Sequence, residues 1–151
     1  MRPTGIIEPH DTTGSLRLHC DVVVVGSGAG GATVAARLAE AGHRVIILEE
    51  GAFFETAEYS ADVPEMLGKL MRDAGSTVIF GKAPIPYFEG RCVGGTTVVN
   101  GGMCWRTPES ILDEWVSERG LEALSPRALS PHFDEVERTI DARYQDPGSE
   151  G

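Results

Sequence analysis

Residues 26–31 read Gly-Ser-Gly-Ala-Gly-Gly, and they stand between two segments of opposite habit. Before them, Val22 to Val25 is an unbroken β-branched run, which suits a strand buried on both faces of a parallel sheet. After them, from about Gly30 to Ala41, the residues favour helix, with Val34, Ala35, Leu38 and Ala39 on one side and Arg37 and Glu40 on another. Gly42 is a helix stop, and Val45 to Leu48 reads as a second buried strand. Strand, glycine turn, helix and strand within about thirty residues make a βαβ unit, whose crossover is right-handed in nearly every case. No other feature of the 151 residues restricts the fold as strongly.

Placed there, GxGxxG is more than a pattern match. Gly26 permits the tight turn, Gly28 lets a pyrophosphate approach the backbone, and Gly31 lets helix and strand pack closely. The helix N-terminus offers unpaired N–H groups and partial positive charge to phosphates. The acidic residue that such sites use for the ribose hydroxyls, about twenty positions on, is supplied by Glu49 with Glu50 beside it. An acid there repels a 2′-phosphate, which disfavours NADP. These residues predict a dinucleotide site.

A second segment, GRCVGGTTVVNGGMCWRTP at 90–108, holds two glycine doublets (Gly94–Gly95 and Gly101–Gly102), three threonines and Asn100. A core strand would not accept so many glycines. A second small-residue loop approaching the same dinucleotide explains them, with Thr96, Thr97 and Asn100 as hydrogen-bond donors. A plain NAD dehydrogenase has no need of such a loop; a flavin dinucleotide, with its long reach and isoalloxazine ring, does.

The pairing of these two motifs resembles the glucose–methanol–choline (GMC) flavoprotein oxidoreductases. The signature Gly90-Arg91-x-Val93-Gly94-Gly95-Thr96-Thr97-x-Val99-Asn100 carries the likeness, together with LEEG at 48–51, and it extends from about Asp21 to Ile140. The resemblance implies that Gly26, Gly28, Ala29, Gly30 and Gly31 hold the pyrophosphate of FAD and that Glu49, with Glu50, meets the adenosine ribose. It implies that Arg91, Gly94, Gly95, Thr96, Thr97, Asn100 and Gly101 line the cofactor. No histidine lies just upstream of the signature, so the implied FAD is non-covalent. Between Asn100 and Trp105 there is one residue more than the commonest spacing, which looks like a long-chain or sterol-alcohol branch. The implied reaction is oxidation of an alcohol CH–OH to a carbonyl. Its catalytic histidine belongs to a C-terminal segment that these residues do not contain, so no catalytic residue is assigned and His10, His19, His43 and His132 are not candidates. The chain alone is expected to be inactive.

The expected fold class is therefore α/β: an incomplete Rossmann-like FAD-binding domain, a parallel sheet with flanking helices. It comprises an arm (1–19), a partial FAD-binding domain (20–140) and a flexible tail (141–151). The expectation is a fragment, a truncated product, or a domain completed by a second polypeptide. A non-catalytic dinucleotide-binding module and a piece of an NAD-dependent dehydrogenase are the alternatives. Net charge is −10, against a nucleic-acid footprint or an acidic membrane surface as partner. Three widely spaced cysteines form no zinc motif, and they fit a reduced compartment. With no signal-like apolar stretch and no run of the ~20 apolar residues a membrane span needs, the expected location is cytoplasmic.

Three further helices are predicted. One is capped by Asp62, with Pro64 in the first helical position, a capping-box Glu65, and Met66, Leu67, Leu70 and Met71 inward; Gly75 ends it. The second starts at Thr107–Pro108, with Ile111, Leu112, Trp115 and Val116 inward and Gly120 at its end. The third begins in SPHFDEVERTIDA. Thr77 to Phe80 reads as a short strand and GKAPIPYFEG as extended loop.

Overall fold

The computed structural model describes residues 5–144 and residue 148. They fall into two compact units, Met1–Gly101 and Gly102–Gly151. Most of the expected tail (145–147 and 149–151) and the first four residues of the arm lie outside the described residues.

In the first unit, β1 (Val22–Val25) and β2 (Val45–Leu48) pair in parallel, in the register Val22 with Val45 through Val25 with Leu48. Between them runs α1 (Ala29–Glu40). Asp21 and Arg44 pin the start of the pair: Arg44 donates to Asp21 from its backbone N–H and its guanidinium, both at 2.8 Å. At the far end of α1, Gly42 has φ +91°. Its N–H donates to Ala39 O and that of His43 to Leu38 O, a Schellman closure.

The predicted burial of both strands on both faces does not hold. Val24 faces α1, but Val25 is 82% exposed and Val23, Ile47 and Leu48 are also exposed. A two-stranded sheet with one crossover helix covers one face only. The β-branched runs carry the sequence pattern of a larger sheet. For the same reason α1 buries Ala35 and half-buries Leu38, while Val34 and Ala39 stay exposed.

The helix α2 (Val63–Leu70) starts where expected, with the Asp62 carboxylate accepting the N–H of Glu65 at 3.0 Å. Val63 is its first residue and Pro64 its second, and the capping box is only half made. The Glu65 carboxylate instead accepts from Ser60 Oγ at 3.0 Å and Lys69 Nζ at 2.6 Å. The helix ends at Leu70, not at Gly75, and a tight turn (Arg72–Gly75) follows it. β3 (Thr77–Ile79) pairs antiparallel with β4 (Ile85–Tyr87), so the stretch expected to be extended loop forms half of a hairpin.

The second unit contains α3 (Glu109–Arg119), preceded by Pro108 and closed by Gly120 at φ +65°. Leu112 is its buried anchor, Trp115 and Val116 are half-buried, and Ile111 is exposed. α4 (Pro126–Thr139) starts before the predicted SPHFDEV segment. Its opening turn uses Pro126, which suits a helix start, whereas Pro131 lies inside the helix and leaves the carbonyl four residues earlier without its helical N–H partner. Arg106 is tied to α4, donating to Asp134 at 2.7 Å and to Glu137 at 2.6 Å, and lying over the Phe133 ring.

Candidate functional site

Two of the three glycines of the GxGxxG turn, Gly26 and Gly31, have separate physical reasons visible in the first unit. Gly26 has φ +87°, the left-handed conformation that lets the chain turn sharply out of β1. Its N–H donates to Leu48 O at 2.7 Å, so the turn is locked to the end of β2. Gly31 is fixed by packing: a Cβ there would lie 2.0 Å from Gly26 O and 3.3 Å from Val24 Cγ1. At Gly28 and Gly30 the chain itself imposes no such limit. No neighbouring atom lies within 4 Å of the position a Cβ would take at either residue, and neither has a positive φ. No side chain caps α1, and its first turn carries no acid. The first N–H groups of a helix lack intrahelical partners. This open, uncapped helix start fits a pyrophosphate.

At the end of β2 the Glu49 carboxylate is held by the glycine turn. Its Oε2 accepts from Ser27 N at 2.9 Å and Ser27 Oγ at 2.6 Å; its Oε1 accepts from Gly51 N at 2.9 Å. Burial pushes the Glu49 carboxyl up, but these donors outweigh it and hold the group below the ordinary carboxylate value. Glu50 points to cations: Arg72 donates to it, and Arg91 Nε lies 3.5 Å away. The Arg72 hydrogen bond is the main cause that lowers the Glu50 carboxyl, and Arg72 also pairs with Glu89 at 3.1 Å.

The second glycine segment is packed against the first. Gly94 donates its N–H to Ser27 Oγ at 2.8 Å. A Cβ on Gly95 would lie 3.0 Å from Gly28 Cα, one on Gly90 2.6 Å from Gly95 O, and one on Gly51 2.3 Å from Cys92 N. Gly94 and Gly95 both have positive φ, +98° and +59°. The doublet at 94–95 thus has an intrachain reason: loop meets loop. Cys92 is buried beneath this contact, and burial pushes its thiol up.

A cleft of about 300 Å³ opens between the loops. Of the residues singled out from sequence, Gly26, Gly28, Glu49, Glu50, Gly95 and Thr96 line it. Ala29, Gly30 and Gly31 continue into α1 behind Gly28, and Arg91 and Gly94 flank the cleft through Glu50 and Ser27. Thr96 Oγ1 accepts from Gly90 N at 3.2 Å. Thr97 and Asn100 are engaged in the turn itself, with Thr97 Oγ1 donating to Gly94 O and Asn100 Nδ2 to Thr97 O. Gly101 closes the unit and does not line the cleft. Three contributors escaped the sequence reading. Ser27 occupies a position that the GxGxxG pattern leaves open, while Arg72 and Glu89 reach the cleft through a turn and a bridge with no local motif. Among the described residues, no helix is long and apolar enough to cross a membrane.

Comparison with known proteins follows the same residues. The family model for GMC oxidoreductases matches residues 20–150. An uncharacterised GMC-type oxidoreductase of Sinorhizobium fredii is 40% identical over 127 residues, 84% of this chain and 25% of that protein. A long-chain-alcohol oxidase of Arabidopsis thaliana is 39% identical over 121 residues, 80% of this chain and 16% of that protein. In fold, the crystal structure of pyridoxine 4-oxidase from Mesorbium loti is similar with a TM-score of 0.59. That likeness covers 76% of this chain and 24% of that one, at 24% identity. The chain thus spans about a quarter or less of the length of these proteins.

Proposed function

This chain belongs to the GMC oxidoreductase family, whose cofactor is FAD, and from that premise we propose that it is the FAD-holding N-terminal portion of an enzyme that oxidises an alcohol. One observation carries the reading: two glycine loops, 67 positions apart at Ser27 and Gly94, close on each other around a cleft that has an acid at the end of β2. The sense of the two motifs is then shared. Gly26, Gly28, Ala29, Gly30 and Gly31 would admit the pyrophosphate to the start of α1, where backbone N–H groups and the helix dipole favour an anion. Glu49 would take the adenosine ribose, with Glu50 and Arg91 at the rim. Gly94, Gly95 and Thr96 would wall the cofactor, and Thr97, Asn100 and Gly101 would hold that wall in shape. The FAD is proposed as non-covalent, within a partial domain over 20–140.

When bound, FAD supplies the hydride acceptor for oxidation of a CH–OH group to a carbonyl. This chain's own residues bind and orient; no base for the alcohol proton is assigned among them, so the 151 residues by themselves are proposed to be inactive. The long-chain-alcohol oxidase relative and the spacing before Trp105 favour long-chain alcohols as the substrate class. The test is flavin content and turnover. The full-length protein should copurify with FAD and oxidise long-chain alcohols with a dye acceptor, and residues 1–151 with added FAD should not. Full turnover by residues 1–151 would place a catalytic group inside them, and a flavin-free full-length protein would defeat the reading.

A further inference from the structure

We propose that Ser27 is the positioning residue of the FAD site: its hydroxyl locks the two glycine loops together and directs the Glu49 carboxylate toward the ribose. The inference rests on the assignment of Glu49 to that ribose. Ser27 is the buried polar side chain among the described residues, at 6% exposure. A serine hydroxyl has one hydrogen to give and two lone pairs to receive. Here the hydrogen goes to Glu49 Oε2 at 2.6 Å and a lone pair receives Gly94 N–H at 2.8 Å. One atom therefore joins the end of β2, the turn after β1 and the second loop. The turn does not require this residue, since GxGxxG leaves the position open. Removing the hydroxyl takes a donor from a carboxylate that lines the cleft and leaves the Gly94 N–H without its acceptor.

Threonine and valine have nearly the same shape and differ in the hydroxyl, so the pair Ser27→Thr and Ser27→Val isolates it from any steric effect of the added methyl. FAD affinity of the full-length protein is measured by flavin fluorescence titration for both, each alone and combined with Glu49→Gln. The expected result is that Ser27→Thr binds FAD roughly 10- to 100-fold more tightly than Ser27→Val, the scale of a hydrogen bond to a charged group. That gap should shrink several-fold when Glu49→Gln is present, which a hydroxyl serving stability alone would not do. If Ser27→Val does not fold, Ser27→Cys replaces it, because a thiol is a weak donor. No gap, or a gap undiminished by Glu49→Gln, overturns the role of Ser27 and leaves the FAD reading standing. Unchanged FAD affinity in Glu49→Gln alone overturns the ribose assignment and this proposal with it.

Discussion

Replacing Gly30 by alanine separates what the chain needs from what its ligand needs. Gly30 is the second residue of α1, and its missing Cβ would meet nothing within 4 Å. Its φ is not positive, so alanine brings no strain. Alanine also narrows the unfolded ensemble, a gain of about 0.4–1 kcal/mol. In a full-length protein several times as long as this chain, as its relatives are, that corresponds to a rise in Tm of about 1 °C or less without cofactor. A pyrophosphate seated on the start of α1 would instead meet the new methyl, and overpacking of that kind costs roughly 1–3 kcal/mol, or about 5- to 150-fold in FAD affinity. Gly31→Ala is the contrast. Its Cβ would lie 2.0 Å from Gly26 O, so helix and turn must part by more than an ångström, and the cofactor-free protein should lose roughly 1–3 kcal/mol. The assays are thermal unfolding without FAD and fluorescence titration with it, on the full-length protein. A fall in Tm for Gly30→Ala, or unaltered FAD affinity, would refute the reasoning that this glycine is kept for the ligand.

The other expectations rest on separate contacts. Glu49→Ala should weaken FAD binding by roughly 1–3 kcal/mol, and Glu50→Ala by less, because Glu50 is engaged with Arg72 and Arg91 at an exposed rim; equal losses for the two would sink the assignment. Gly95→Val should destabilise the protein even without FAD, because its Cβ meets Gly28 Cα at 3.0 Å and its φ is +59°; an unchanged melting curve would show that the two loops do not bear on each other. Glu49 is held below its ordinary value, so its contribution is complete above the ordinary carboxylate range and is lost as pH falls through the folded value. Loss of folding stability on acidification, read as Tm against pH without FAD, should accordingly be shallower in Glu49→Gln, and an identical profile would remove Glu49 from the pH response. Iodoacetamide should label exposed Cys104 well before Cys92, which is buried with its thiol pushed up; comparable rates would mean that the loop contact opens readily.

Local physics made the βαβ unit legible from sequence. The bounds of β1 and β2, the stop at Gly42 and the Asp62 cap all depend on residues within one turn of each other, and the structure has them where the sequence puts them. What failed was whatever depended on partners. Burial of Val23, Val25, Ile47 and Leu48 needs further sheet and helix layers, and these residues are exposed. The β4 strand was hidden because Pro86 sits within it, and proline demotes a strand reading even where it occupies an edge. At the site, glycine pattern and acid spacing marked five of the cleft-lining residues, and the hydroxyl of Thr96 marked a sixth. Ser27, Arg72 and Glu89 went unmarked because their value comes from contacts across 22 or more positions or across a bridge, which no spacing rule encodes. Reading Thr97 and Asn100 as free donors missed that short polar side chains in a turn bond first to their own backbone.

Hydrogen exchange at the two glycine loops tests the central claim, that 26–31 and 94–97 serve one flavin dinucleotide, more directly than any substitution. The full-length protein, stripped of flavin, is compared alone, with FAD and with NAD. FAD should slow exchange in both loops together, and NAD should leave 94–97 unprotected. Protection of 26–31 by NAD, with neither loop protected by FAD, would contradict that claim.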